Sequence, residues 1–438
     1  MLLKSVKAAR RRRGKSIKRS DGHIKRFAVL AGYLPQDRKH IDAWLKDLAK
    51  KVKSRAKKSG AVALKPSVEA LRRLIERDAV VRMYVTEMVD QVPPEKKTVS
   101  NVPELLQSLD YILGHAPEYT PVKEKRNFFP MSTLFVYMMY TPAGEAAFRN
   151  AAFNNAIRVV LQEWCRFLDS PASAFVLNTG VNGWLSKSAY DYNKLDQFVI
   201  PNPNAPHWGW PSFNSFFHRQ IKPEKRPIAG PGDTRVIVSA NDGQVFSIQR
   251  NVKKSDTFWL KNQPYSLTDM LDNSPYTDQF VGGDVFQSFL SGANYHRWRA
   301  PIGGTVVEAR IVNGLMFSEL HSLGFDSDAG VLSQGYEASV NTRGLVIIDG
   351  SGPGGTGPGL VAVIPIGITE ISSVTLSSNV KKGSSVKKGD QLGWFSYGGS
   401  TLALAFQKGR VKQFTVKAPQ GKVPGDLINV NAQIALGY

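Results

Sequence analysis

Four consecutive residues, Gly398-Gly399-Ser400-Thr401, place a serine hydroxyl directly after a backbone without side chains. Glycine leaves its carbonyl open to attack and tolerates backbone conformations that other residues avoid. The spacing is compatible with attack of the Ser400 hydroxyl on the Gly399 carbonyl. Taken alone, the four residues are a weak signal and are more typical of a tight turn between two strands; we predict these strands at Trp394 to Tyr397 and Leu402 to Phe406.

Several other catalytic motifs are missing from the sequence. The seven histidines form no HExxH motif and no paired His/Cys spacing, so the sequence argues against a metal site. The single cysteine, Cys165, excludes an internal disulfide framework. The sequence GGST differs from the G-x-S-x-G motif of serine hydrolases. The glycine-rich tract 350–359 lacks the Lys-Ser/Thr ending of a phosphate loop, and we predict a flexible hairpin or lid there.

Four segments between residues 213 and 401 form an ordered set. They are FNSFFHR at 213–219 with KP and RPI up to residue 228, SANDG at 239–243, YHRWRAP at 295–301 with GTV at 304–306, and the block from KGD at 388–390 to GGST at 398–401. In this order they resemble the phosphatidylserine decarboxylase family of pyruvoyl enzymes, and the resemblance covers about residues 205–438. YHRWRAP, PIGITEIS at 365–372 and the N-terminal extension look similar to a soluble branch that includes fungal tryptophan decarboxylases.

The resemblance implies that the chain cleaves itself between Gly399 and Ser400. In the family, the serine hydroxyl attacks the preceding glycine, the resulting ester eliminates, and the new N-terminal residue becomes a pyruvoyl group. The cofactor is therefore expected to be a pyruvoyl group derived from Ser400, next to Gly398 and Thr401. It would form a Schiff base with the substrate amine and accept the electrons released with CO2, as pyridoxal phosphate does in other decarboxylases.

The resemblance also assigns roles to two further residues. His296, in the YHR unit, is the expected proton donor or carboxylate-positioning group of the decarboxylation step. Asp242 matches the family's aspartate that orients a histidine base for self-cleavage. That histidine is expected three residues after His296, but the sequence has Arg299 there. A guanidinium stays protonated and cannot act as a general base; it could pair with Asp242 instead.

The arginine leaves three outcomes open. Cleavage could proceed slowly with another base, which would be His296, a water molecule or His321. Arg299 could stabilise the oxyanion that forms on Gly399. Alternatively, cleavage could fail and the chain would be a non-catalytic family member. We expect an active carboxy-lyase that removes CO2 from an amino acid.

The expected substrate carries both an amine and a carboxylate. Our first hypothesis for the substrate is a free amino acid, which could be aromatic. The alternative is phosphatidylserine, whose decarboxylation would yield phosphatidylethanolamine. Four aromatic residues could line a pocket, although such residues more often form core: Trp208, Trp210, Phe213 and Trp298. The large and small chains of the same precursor are expected to stay together, and a homo-oligomer is left open.

The elements that must position these residues change in type along the chain. We predict an α+β protein with a basic arm at 1–27, a helical domain at 28–204 and a mainly β catalytic domain at 205–438. A Pro/Asn/Trp-rich passage at 201–211 marks the domain boundary. Apolar spacing predicts helices at 39–55, 67–92, 102–113, 130–140, 143–168 and 181–195, and strands at 235–239, 305–312, 344–349 and 360–368.

The positive charge is concentrated at the N-terminus. The chain has 438 residues and a formal net charge of +21, of which residues 1–60 contribute +16 through 20 Lys or Arg and four acids. The arm could contact an anionic membrane or another polyanion, act as a targeting peptide, or be a solvated tail. No run of 18 apolar residues is present, so we expect no membrane span and a cytoplasmic protein, with peripheral membrane contact as the alternative.

Overall fold

The computed structural model describes residues 34–35, 37–59, 63–256, 265–319, 333–352, 357–371, 373–420 and 423–438. The first part of this chain is helical, as the apolar spacing predicts. Its helices are α1 (Arg38–Ser59), α2 (Pro66–Arg77), α3 (Ala79–Asp90), α4 (Val102–Ile112), α5 (Pro130–Phe135), α6 (Pro142–Arg149), α7 (Ala151–Asp169) and α8 (Lys187–Asn193).

Helix α1 shows how the sequence forms these elements. The Asp37 carboxylate accepts a hydrogen bond from the backbone N–H of Lys39 at 2.9 Å, which satisfies a free donor at the start of the helix. Ile41, Leu45 and Leu48 are buried on the apolar face. The remaining face carries the lysines and stays exposed.

Two of the predicted helices are each divided into two. The single helix predicted at 67–92 is wrong: Asp78 adopts an extended conformation, and its carboxylate caps helix α3 by accepting from the backbone of Val80 and Val81. Asn150 divides the helix predicted at 143–168 in the same way and caps helix α7 through the Phe153 N–H. The local capping bonds outweigh the continuous apolar periodicity.

The second part of the chain is rich in strands, so the α+β class is confirmed. Helix α9 (Phe213–Phe217) precedes the strands, and helices α10 (Leu267–Met270) and α11 (Gln334–Val340) lie between them. The strands are β1 (Val236–Val238), β2 (Gly243–Gln249), β3 (Asp284–Leu290), β4 (Arg297–Arg299), β5 (Gly304–Val312), β6 (Arg343–Asp349), β7 (Leu360–Ile368), β8 (Val374–Leu376), β9 (Ser385–Val386), β10 (Gln391–Phe395), β11 (Gly399–Phe406), β12 (Val411–Phe414), β13 (Leu427–Ile428) and β14 (Gln433–Gly437).

An eight-stranded sheet forms the centre of this part. Its strand order is β13-β2-β3-β11-β7-β6-β5-β9, and the pairings are antiparallel. Strand β11 therefore lies inside the sheet, with β3 and β7 as neighbours. Two smaller sheets have the orders β1-β14-β12 and β4-β10-β8.

The helical part packs against one face of the large sheet. Leu402 and Leu404 of β11 belong to the same buried apolar cluster as Trp164 of helix α7 and Phe213 of helix α9. Ala403 points to the other face, which packs on a second, smaller cluster. None of the helices in the described part of the chain combines the length and hydropathy that a membrane crossing requires.

Candidate active site

The Gly399–Ser400 peptide lies at the first residues of strand β11. Ser400 is opposite Leu290 of β3 on one side and Gly367 of β7 on the other. Its side chain is fully buried, and its hydroxyl has no hydrogen-bond partner among the described residues. Buried hydroxyls are normally satisfied, so a free one at this peptide is compatible with a reacting group.

Gly398 is pressed against the backbone of the turn that follows β7. Its φ is +143°, and a Cβ atom there would lie 2.3 Å from Ile371 Cα and 2.6 Å from the Glu370 carbonyl oxygen. A side chain at position 398 would therefore collide with backbone that cannot move aside. The two chain segments approach this closely only because residue 398 is glycine.

Thr401 has a structural hydrogen-bonding role. Its hydroxyl donates to the Ser288 carbonyl oxygen at 2.8 Å and accepts from Gln287 Nε2 at 3.2 Å. Both partners belong to strand β3, so these bonds hold β11 against β3. This hydroxyl is occupied, whereas that of Ser400 has no partner among the residues described.

His296 is tied to the chain segment that leads to Ser400. Its carbonyl oxygen accepts from the Phe395 N–H at 2.9 Å, and its ring stacks on Phe217 with centroids 3.8 Å apart. Neither ring nitrogen makes a hydrogen bond of normal geometry within the described residues. Burial, followed by the positive charge of Arg219, holds the pKa of His296 well below its usual value. The imidazole is therefore neutral at neutral pH.

Asp242 is engaged by Arg226, a residue of the RPI segment to which the sequence assigns no role. Arg226 binds both carboxylate oxygens, with Nε 2.9 Å from Oδ1 and Nη2 2.6 Å from Oδ2. The Val430 N–H donates to Oδ1 as well, at 2.8 Å. The pair is largely buried, with side chains 10% and 4% exposed. Asp242 thus joins three distant chain segments.

Arg299 does not pair with Asp242, so that expectation is wrong. Its Nη1 donates to the Gly389 carbonyl oxygen at 2.9 Å, and its Nη2 donates to the Tyr295 hydroxyl at 3.0 Å. No hydrogen bond or ion pair between described residues joins Asp242 to Arg299 or to His296. The bidentate guanidinium of Arg226 already occupies the carboxylate, which explains why Arg299 turns elsewhere.

The turn Thr369-Glu370 between β7 and β8 was not predicted as part of the site. Thr369 is 1% exposed and has a φ of +50°, a left-handed conformation that a β-branched residue adopts only under constraint. Its Oγ1 would lie 3.2 Å from a Cβ atom on Gly399. The signal that could have found this turn is the single acid within the apolar run IPIGITEI at 364–371.

Glu370 is a fully buried acid beside the same peptide. The Ser132 N–H and hydroxyl donate to its Oε2 at 2.5 and 3.0 Å, whereas Oε1 has no partner among the described residues. Burial raises the pKa of Glu370 to about 8, against the lowering effect of the bonds from Ser132. Burial and the charge of Glu370 hold the pKa of Tyr397 well above its usual value.

The aromatic residues considered as pocket lining lie in or against the core. Trp210, Phe213 and Trp298 are buried, and Trp208 packs against the cluster that they join. Residues 1–27, His321 and residues 353–356 of the glycine-rich tract lie outside the described residues. Among the residues described, no group of three or more His, Cys, Asp or Glu side chains could hold a metal ion.

Comparison with protein families gives two matches that together span most of the chain. Residues 213–432 match a family model described as phosphatidylserine decarboxylase, and residues 65–192 match a second model with that description. The first match includes Asp242, His296 and the Gly399–Ser400 peptide. The second covers much of the helical part.

Comparison with individual proteins gives relatives named as decarboxylases. The decarboxylase iboD of Amanita muscaria is 36% identical over 325 residues, which are 70% of this chain and 90% of the relative. An L-tryptophan decarboxylase of Psilocybe cubensis is 28% identical over 400 residues, 86% of this chain and 88% of the relative. A phosphatidylserine decarboxylase proenzyme of Chlamydia muridarum is 31% identical over 200 residues, 46% of this chain and 61% of the relative.

Proposed function

The chain belongs to the phosphatidylserine decarboxylase family and is a carboxy-lyase; from this premise we propose that it is a pyruvoyl-dependent amino-acid decarboxylase. It cleaves itself between Gly399 and Ser400 before it becomes active. The observation that carries the proposal is the Gly399–Ser400 peptide itself. It joins a buried hydroxyl, which has no hydrogen-bond partner in the described part of the chain, to a glycine carbonyl inside a tightly packed sheet.

Self-cleavage uses only atoms of this chain and water. Ser400 Oγ bonds to the Gly399 carbonyl carbon, and the Gly399–Ser400 C–N bond breaks to give an ester. Loss of the Ser400 Cα proton then releases the Gly399 carboxylate, and water converts the new N-terminal residue to a pyruvoyl group with release of ammonia. The pyruvoyl ketone supplies an electron sink for loss of CO2.

The buried surroundings of Ser400 suit such chemistry. His296 is neutral, and neither ring nitrogen is held by a hydrogen bond of normal geometry within the described residues. The ring is therefore able to orient a substrate carboxylate or pass on a proton. The ring of Phe217 fixes the imidazole plane by stacking on it. A water-poor site strengthens each of these electrostatic interactions.

The extent of similarity favours a free amino acid as the substrate. The match to the Psilocybe cubensis L-tryptophan decarboxylase covers 86% of this chain, helical part included, whereas the match to the Chlamydia muridarum proenzyme covers 46%. An aromatic amino acid is therefore the first substrate class to test. Phosphatidylserine is the second, because the family model that spans the site carries its name.

The test of self-cleavage is the mass of the purified protein. We expect two chains, 1–399 and 400–438, the smaller of which resists N-terminal sequencing and gains mass with an amine and borohydride. Ser400→Ala is expected to remain a single chain. Ser396→Ala, a serine in the same segment, serves as the matched control and is expected to cleave. An intact wild-type chain after long incubation would reject the proposal.

The test of substrate class is CO2 release from the cleaved protein. L-Tryptophan, L-tyrosine, L-phenylalanine and the aliphatic amino acids are each compared with phosphatidylserine vesicles. We expect turnover of a free aromatic amino acid and none of the lipid. Turnover of phosphatidylserine alone would reject the amino-acid reading and retain the family chemistry.

A further inference from the structure

Self-cleavage requires a group that takes the proton from Ser400 Oγ, and the residues expected for this task are not suited to it. Arg299 is a permanent cation bonded to Gly389 and Tyr295. Asp242 is bound on both oxygens by Arg226. His296 would have to become a cation in a fully buried site beside the charge of Arg219. These three side chains are therefore unsuited to the task.

The backbone of the turn after β7, which carries Glu370, lies against Gly398 and Gly399 on the amino side of the scissile bond. A Cβ atom on Gly398 would touch the Glu370 carbonyl oxygen at 2.6 Å, and one on Gly399 would touch Thr369 Oγ1 at 3.2 Å. The left-handed Thr369 bends the chain there, in a strained conformation that the surrounding packing must offset. Strain of this kind concentrates at functional sites.

The Glu370 side chain is held at one oxygen and free at the other. Helix α5 holds Oε2 through the Ser132 N–H and hydroxyl, while Oε1 is buried without a partner among the described residues. Ser400 Oγ, Thr369 Oγ1 and the Tyr397 hydroxyl are likewise buried and unbonded. Four unsatisfied oxygens on two adjoining segments are unusual for a folded interior.

We propose that Glu370 is the proton acceptor of self-cleavage and takes the place of the absent histidine base. This inference rests on the proposed function. The proton leaves Ser400 Oγ for Glu370 Oε1, directly or through one water, as Oγ bonds to the Gly399 carbon. The same proton then passes to the Ser400 nitrogen as the C–N bond breaks. Glu370 ends in its starting state, so no further reactant is needed.

The electrostatics of the turn support this role. Burial raises the pKa of Glu370 to about 8. A group that first accepts a proton and then returns it works best when its pKa lies near the pH of the reaction. Among the described residues, Tyr397, from the segment before β11, is a titratable side chain that interacts with the charge of Glu370; the pKa of Tyr397 is held high, so the phenol stays neutral. Hydrogen bonds from Ser132 and from the Met131 backbone, both in helix α5, stabilise the ionised carboxylate and so lower the pKa of Glu370.

The experiment measures self-cleavage of freshly translated precursor between pH 6 and pH 9.5. Because the carboxylate is the active form, the wild-type rate is expected to rise about tenfold from pH 7 to pH 9 and level off above the pKa of Glu370. Glu370→Gln is expected to cleave about 10²- to 10⁴-fold more slowly and to lose this rise. Glu370→Asp is expected to recover part of the rate together with the pH dependence.

A second variant separates proton transfer from a purely structural role. Ser132→Ala removes a hydrogen bond that favours the carboxylate, so the midpoint of the pH profile is expected to move to higher pH. Asp110→Asn is the control: it removes a buried carboxylate bound to Arg55 in the helical part, and the midpoint should stay in place. Both variants remain informative if Glu370→Gln does not fold.

Each outcome decides the question. A Glu370→Gln precursor that cleaves at the wild-type rate with the wild-type pH profile would overturn the role of Glu370 and leave the proposed function intact. An unmoved midpoint in Ser132→Ala would also count against the role. A wild-type precursor that never cleaves would overturn both proposals.

Discussion

The buried pair of Arg226 and Asp242 permits a direct test of what Asp242 does. Asp242→Asn keeps the shape of the side chain but leaves the guanidinium of Arg226 buried without a counter-charge. If Asp242 holds the fold together, the variant should lose stability and still cleave when kept cold enough to fold. If Asp242 acts in self-cleavage, it should lose cleavage and keep its stability.

The magnitude follows from the burial and geometry of the pair. Removing one partner of a buried ion pair costs about 3–5 kcal/mol, and here two short hydrogen bonds are disturbed as well. The entropy of unfolding is about 2 cal/mol/K per residue, or about 0.9 kcal/mol/K for a chain of this length. The midpoint of thermal unfolding should therefore fall by about 3–5 °C if the chain unfolds as one unit.

The assay compares unfolding midpoints in the Ser400→Ala background, where the chain stays in one piece. Asp233→Asn is the matched control, because its partner Arg235 is exposed and the midpoint should hardly move. The double variant Arg226→Met/Asp242→Leu should lose less than the two single changes together. Loss of cleavage in Asp242→Asn at an unchanged midpoint would refute the reasoning.

Two further predictions concern residues close to the scissile peptide. Arg299→His is expected to cleave no faster than wild type, because Asp242 is already occupied, and to lose about 1–3 kcal/mol of stability because the two hydrogen bonds of Arg299 are lost. A tenfold faster appearance of the small chain on a denaturing gel would contradict this expectation. Gly398→Ala is expected to give an uncleaved or insoluble precursor because its Cβ would overlap Ile371, whereas the control Gly409→Ala, at a positive φ in open space, should fold and cleave. Cleavage of both variants at equal rates would show that the close approach of the two chain segments at Gly398 is not required.

The class of fold and most of the strands followed from local patterns. The apolar run at 360–368 became strand β7, with every residue buried, and the Lys39-to-Arg55 periodicity lies within helix α1. Such patterns succeed because burial of a face or of a whole strand leaves a repeat in the sequence. The breaks between helices did not follow from the sequence, because Asp78 and Asn150 are polar residues of a kind that also occurs within helices. Their capping role depends on hydrogen bonds from the backbone that follows them, which only the structure shows.

The sequence by itself identified the candidate cleavage site, because the order of the motifs pointed to the peptide bond between Gly399 and Ser400. Only the tertiary structure decided the partners of the charged residues. Asp242 binds Arg226 rather than Arg299, because the distance and direction between side chains depend on how the strands pack. The ionisation of Glu370 depends on how completely neighbouring elements remove water from it. That desolvation is a property of the packed interior, and no local spacing of residues records it.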